Sequence, residues 1–185
     1  LDYGPFGFCE IFDPEFQPWT GGGKHFSFFN QPVAAEANYH MFWTAVRPLL
    51  AEDTEPLEHF DHVRQGFAEE MQTQIQKMWA AKLGLPEYNQ EVAQQLLQLM
   101  ANTGVDYTIF FRELSHLPED VSALKKSFYF DTSEELDDHW QAWLKSWRDL
   151  TVKDGNMAEI SANMKKKKKK FTWREWLIVH AYQQA

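Results

Sequence analysis

Cysteine occurs once in the 185 residues, at Cys9, so no internal disulfide can cross-link the fold. Stability must therefore come from packing. Long apolar runs are missing too: nothing approaches the roughly 20 residues needed to cross a bilayer, and no basic segment followed by an apolar one opens the chain. No membrane span is expected. Basic residues are scarce, 18 against 27 acidic ones, and six of the 18 are the lysines of residues 165–170. Outside that run, 12 cations face 27 carboxylates, and so acidic a body repels nucleic acid and anionic lipid. No nucleic-acid partner is expected. An initiating methionine is also lacking, and the chain is expected to start within a longer protein.

What is present is a core-forming composition: 44% hydrophobic residues and 16% aromatic ones, with eight tryptophans. That excludes general disorder and suits one domain of this length. Residues 1–33 are punctuated by glycine at 4, 7, 21, 22 and 23 and by proline at 5, 14, 18 and 32, the pattern of a long irregular segment. From about Ala34 the periodicity is helical. A first helix is predicted to Val46, ending near Pro48. A second carries Phe60, Val63, Phe67, Met71, Ile75 and Met78 at helical spacing, a stripe expected to be buried, with Gly84 as its stop.

Asn89 and Asp106 are predicted to cap a third and a fourth helix, and a short helix is expected near Pro118. Thr132 or Ser133 is expected to cap a fifth, with Leu136, Trp140, Trp143 and Trp147 on one side. A last helix, FTWREWLIVHAYQQA, would bury Trp173, Trp176, Leu177 and Ala181. Six adjacent lysines would put charge on every side of a helix, so 165–170 reads as a solvated loop or, less simply, as a basic patch for acidic partners.

Few residues stand out as chemical machinery. The histidines at 59 and 62 in HFDH share a helical side, yet no second cluster offers a third metal ligand. Surface or packing positions suit them. No nucleophile elbow and no plausible Cys-His pair occurs, and Cys9 reads as a small core residue. The opening DYG, Asp2 to Gly4, has the form of the turn by which kinase-like enzymes present an aspartate to Mg²⁺, a hard cation that prefers carboxylate and phosphate oxygens. A turn-capping aspartate has the same form.

The longer string favours the metal-binding reading. LDYGPFGF, followed by FDPEF and FSFFNQP, resembles the selenoprotein O family, kinase-like proteins that transfer AMP from ATP to protein hydroxyls. KMWAAKLGL from Lys77, DYTIFFREL from Asp106, WQAWLKSWRDL from Trp140 and the closing FTWREWLIVHAYQQA follow in the family's order. The resemblance covers the whole chain. It implies a mainly α fold, the helical C-terminal lobe of a protein-kinase-like fold, with 1–33 as a metal-binding turn and activation-segment-like loop and 34–185 as the lobe proper.

It also implies cofactors, Mg²⁺ and ATP, with Asp2 as the metal and cofactor ligand, and protein substrates modified on Ser, Thr or Tyr. The family's nucleotide-binding lobe and its catalytic aspartate would precede Leu1, so no catalytic residue is expected among these 185, and the chain alone is expected to be inactive. Lys24 stands roughly where the family carries an arginine, offering a point charge in place of a planar fork. The family's setting implies mitochondria in a eukaryote or the cytoplasm of a bacterium. A second reading stays open: a non-catalytic kinase-like remnant docked as a structural subunit in a larger assembly.

Overall fold

Helices carry nearly all of the regular structure in a computed structural model, which describes residues 9–17, 24, 27–50, 54–152, 156–166, 179 and 183. Six α-helices lie among them: α1 (Gln31–Val46), α2 (Thr54–Leu83), α3 (Gln90–Thr103), α4 (Tyr107–Leu114), α5 (Glu134–Thr151) and α6 (Met157–Lys166). The mainly α expectation holds. Among the described residues, extended pairing is limited to two isolated antiparallel bridges, Ile11 with Asp106 and Val105 with Phe128. None of the described helices is long and apolar enough to cross a membrane.

The chain divides into two compact units, one of residues 1–6 and 14–76, the other of 7–13 and 77–185. In the first unit, α1 starts three residues before the predicted Ala34, because Pro32 in its first turn lacks only an N–H that would be unpaired there anyway. Tyr39 of α1 stacks on Phe67 of α2 at 4.6 Å, and Trp43 donates its indole N–H to Asp61 at 3.1 Å. Arg64 lies 4.6 Å over the Trp43 ring. These contacts leave α1 with no buried residue, and Met41, Phe42 and Leu49 are 67%, 56% and 82% exposed.

The expected stripe of α2 is therefore only partly covered. Phe60, Phe67, Met71 and Ile75 are half-buried, whereas Val63 and Met78 are exposed. Periodicity identifies a face, but burial needs a partner for it.

The second unit holds the core. Asn89 caps α3 by accepting from the Val92 N–H, Asp106 caps α4 through Ile109, and Ser133, not Thr132, caps α5 through Leu136. Trp140, Trp143 and Trp147 then line one side of α5, buried to 2% exposure or less. Each indole N–H finds a partner on another helix: Thr103 Oγ1 at 2.9 Å, the Val92 carbonyl at 2.9 Å and the Leu83 carbonyl at 2.8 Å. One stripe thus ties α5 to both ends of α3 and to the end of α2.

Near Pro118 the chain forms two short 3₁₀ turns, Val121–Ala123 and Lys125–Ser127. The lysine run begins inside α6, since Lys165 and Lys166 close that helix as exposed residues. Cations there suit the negative end of the helix dipole, which offsets their mutual repulsion. The remaining lysines of the run, and the predicted closing helix with Trp173, Trp176, Leu177 and Ala181, lie outside the described residues.

Gly84 ends α2 in the left-handed region at φ +69°, and a Cβ built there would meet the Met164 sulfur of α6 at 2.6 Å. Gly84→Ala combines a conformational cost of about 1–2 kcal/mol with overpacking of about 1–3 kcal/mol. We expect a loss of about 2–5 kcal/mol by urea unfolding, partly relieved in the double variant with Met164→Ala. Equal losses with and without the Met164 change would mean the steric half of the argument is wrong.

Candidate functional site

Asp2, the predicted metal and cofactor ligand, lies outside the described residues. What the structure does describe is the segment that follows it. Residues 9–13 run antiparallel to 105–107: the Phe12 N–H donates to the Val105 carbonyl at 2.7 Å, and the Tyr107 N–H to the Glu10 carbonyl at 3.0 Å. On its other side this stretch pairs with 127–129, the Asp106 N–H reaching the Ser127 carbonyl at 2.7 Å and the Tyr129 N–H the Gly104 carbonyl at 3.1 Å. Phe12 is buried and stacked on Tyr107 at 5.7 Å.

Side chains reinforce this seam. The Tyr129 hydroxyl stands between two carboxylates, donating to Glu10 and lying 3.4 Å from Asp106 Oδ2. Asp106 is buried and also accepts from the Ile109 N–H at 2.8 Å, so one carboxylate caps α4 and flanks the seam. Cys9 donates its thiol to the Ile11 carbonyl at 3.1 Å, and burial pushes that thiol above its usual range.

Behind Tyr107 lies a feature that sequence reasoning missed. The Lys82 ammonium sits 4.0 Å from the Tyr107 ring centroid, 4.3 Å from Phe111 and 5.7 Å from Trp79, and it donates to the Tyr107 oxygen at 2.5 Å. Burial lowers the lysine to about 7 and pushes the Tyr107 phenol up. Ring faces attract a cation, so the three ring contacts oppose the desolvation that lowers the lysine. The only local hint was a cation between apolar neighbours in WAAKLGL; two of its rings come from α4.

Between about pH 7 and about pH 10 an unfolded lysine holds a proton that folded Lys82 has released. The unfolded state then binds more protons, so stability should rise with pH across that window. Lys82→Met should flatten the rise, as read by urea midpoints at several pH values.

The other candidates are scattered. Lys24 pairs with Glu15 at 2.5 Å on the surface of the first unit. His40, His59, His62, His116 and His139 are exposed, and among the described residues no three metal-ligating side chains gather. His25 and His180 lie outside the described residues.

Comparison with known proteins bears on the whole chain. The family profile described as Protein adenylyltransferase SelO matches residues 1–185. The chain belongs to the SelO family. Relatives named Protein nucleotidyltransferase YdiU include one from Flavobacterium johnsoniae, 33% identical with 80% of this chain and 30% of the relative covered, and one from Mycolicibacterium paratuberculosis, 34% identical with 81% and 32% covered. A third, from Xanthomonas campestris pv. campestris, is 30% identical over 100% of this chain and 37% of its own length. This SelO-family chain therefore spans about a third of the length of the curated relatives it matches.

Proposed function

We propose that the chain is the helical, C-lobe-like part of a kinase-like protein adenylyltransferase, which moves AMP from ATP to Ser, Thr or Tyr hydroxyls of proteins. The observation that carries this reading is the family match across residues 1–185, from DYG to the closing FTWREWLIVHAYQQA. Asp2 would hold Mg²⁺ on the triphosphate; the ion supplies charge neutralisation at the α-phosphorus. Residues 1–33 act as the activation-segment-like region and 34–185 as the helical lobe.

Among the described residues, the seam of 9–13 with 105–107, closed by Phe12 on Tyr107, is the part of the activation-segment-like region that is tied down by backbone pairing. The exposed apolar side chains Val33, Met41 and Phe42 of α1 fit a chain that works with further polypeptide, since apolar surface left in water commonly marks an interaction site.

The same exposed α1 favours the second reading, a structural subunit whose helix docks in an assembly. Incubating the protein at its native length with radiolabelled ATP and a mixture of candidate substrate proteins separates the two. Label transfer that needs Mg²⁺ and stops with EDTA is expected. Failure to bind Mg·ATP at all would leave the structural subunit.

A further inference from the structure

We propose that the outer side of α1 seats another segment of the same protein, from outside these 185 residues: a helix whose apolar side chains are flanked by lysine or arginine. This rests on reading the chain as one part of a longer family member. Val33, Ala37, Met41 and Ala45 stand four residues apart and form a single ridge along α1, all four exposed, with Phe42 exposed beside it. No charged side chain interrupts that ridge. The opposite side of the helix is already used, since Tyr39 stacks on Phe67 and Trp43 on Phe60 of α2.

Ridge spacing selects the shape of the occupant. Rows of residues four apart fit the grooves of a second helix, and the two alanines let it approach closely. At about 1.5 Å per residue the ridge runs about 18 Å, or about three turns of such a helix. Charge selects its composition. Residues 31–76 hold eight acidic residues against two basic ones, and both cations are engaged within the pair of helices. Arg47 lies 3.6 Å from Asp61 and Arg64 donates to His40 Nδ1 at 3.2 Å, each with its guanidinium over the Trp43 ring. A basic flank on the occupant therefore meets carboxylates such as the exposed Glu36 of α1.

The same charge argues against a second copy of this chain, which would bring an equally acidic surface against the first; like charges in juxtaposition are costly. A segment of the same protein also avoids the freedom lost when two molecules associate. The family has room for one, because this chain covers only 30% of the Flavobacterium johnsoniae relative and 37% of the Xanthomonas campestris one.

The purified native-length protein, carrying the photo-crosslinking residue p-benzoylphenylalanine in place of Met41, is irradiated without nucleotide, and the joined peptides are identified by mass spectrometry. We expect a link within one molecule to a peptide from outside these 185 residues, with lysine or arginine within a helical turn of the joined residue. Phe42→Lys should lower the yield of that link about tenfold and Phe42→Glu about twofold, because only the lysine repels a basic flank. Absence of a link, a link to a peptide within the 185 residues or to one lacking a basic residue, a cross-linked dimer, or a link to another protein overturns the proposal. So does a loss from Phe42→Glu as large as that from Phe42→Lys. The irradiation uses no ATP, so a failure of AMP transfer leaves this result standing, and a failed link leaves the adenylyltransferase reading standing.

Discussion

Trp147→Ala should lower the stability of the second unit by about 3–5 kcal/mol, the range for truncating a fully buried tryptophan. Three losses combine in that figure. The side chain is 0% exposed, so its removal opens a cavity; its ring is stacked on Trp143 at 6.0 Å; and its N–H satisfies the Leu83 carbonyl at 2.8 Å. Leu83 ends α2, where carbonyls lack a partner in the helix, so the indole acts as a cap delivered from α5. Domains of this size have about 5–15 kcal/mol to lose.

Followed by far-UV circular dichroism in urea, the midpoint should fall by about 2 M, taking a slope of about 2 kcal/mol per molar. Trp147→Phe keeps most of the ring but leaves the carbonyl unpaired, and should cost about 1–3 kcal/mol. Equal stability of the phenylalanine variant and the parent would show that the hydrogen bond contributes nothing.

The second large effect concerns chemistry. If the chain serves an adenylyltransferase as proposed, Asp2→Ala at native length should reduce AMP transfer by about a hundredfold or more, comparable with removing one preorganised charge-stabilising group. Asp2→Asn should be nearly as poor, because an amide oxygen lacks the charge a hard cation prefers. Both should shift the Mg²⁺ concentration at half-maximal rate upward while leaving the urea midpoint unchanged. A turn-capping Asp2 behaves in the opposite way, losing stability with Mg²⁺ dependence intact. The two readings of the same triplet thus separate in a single pair of titrations.

Much of the second unit was legible in the sequence because its signals are local. Asn89, Asp106 and Ser133 cap helices through N–H groups three residues away, within reach of their own side chains. The tryptophan stripe of α5 follows from helical spacing alone. Its three acceptors do not: Leu83, Val92 and Thr103 lie 37 to 64 residues away in the chain. The α2 stripe shows the limit from the other side, with Val63 and Met78 apolar, in register and exposed.

By itself the sequence determined the helical class, the caps, the absence of a disulfide and, through LDYGPFGF and the motifs after it, the family. Each of these is written in neighbouring residues or in their order along the chain. Only the tertiary structure decided what Lys82 is. A lysine's charge depends on how much water and which groups surround its amine, and those are set by rings that α4 brings to it across some 25 residues of chain.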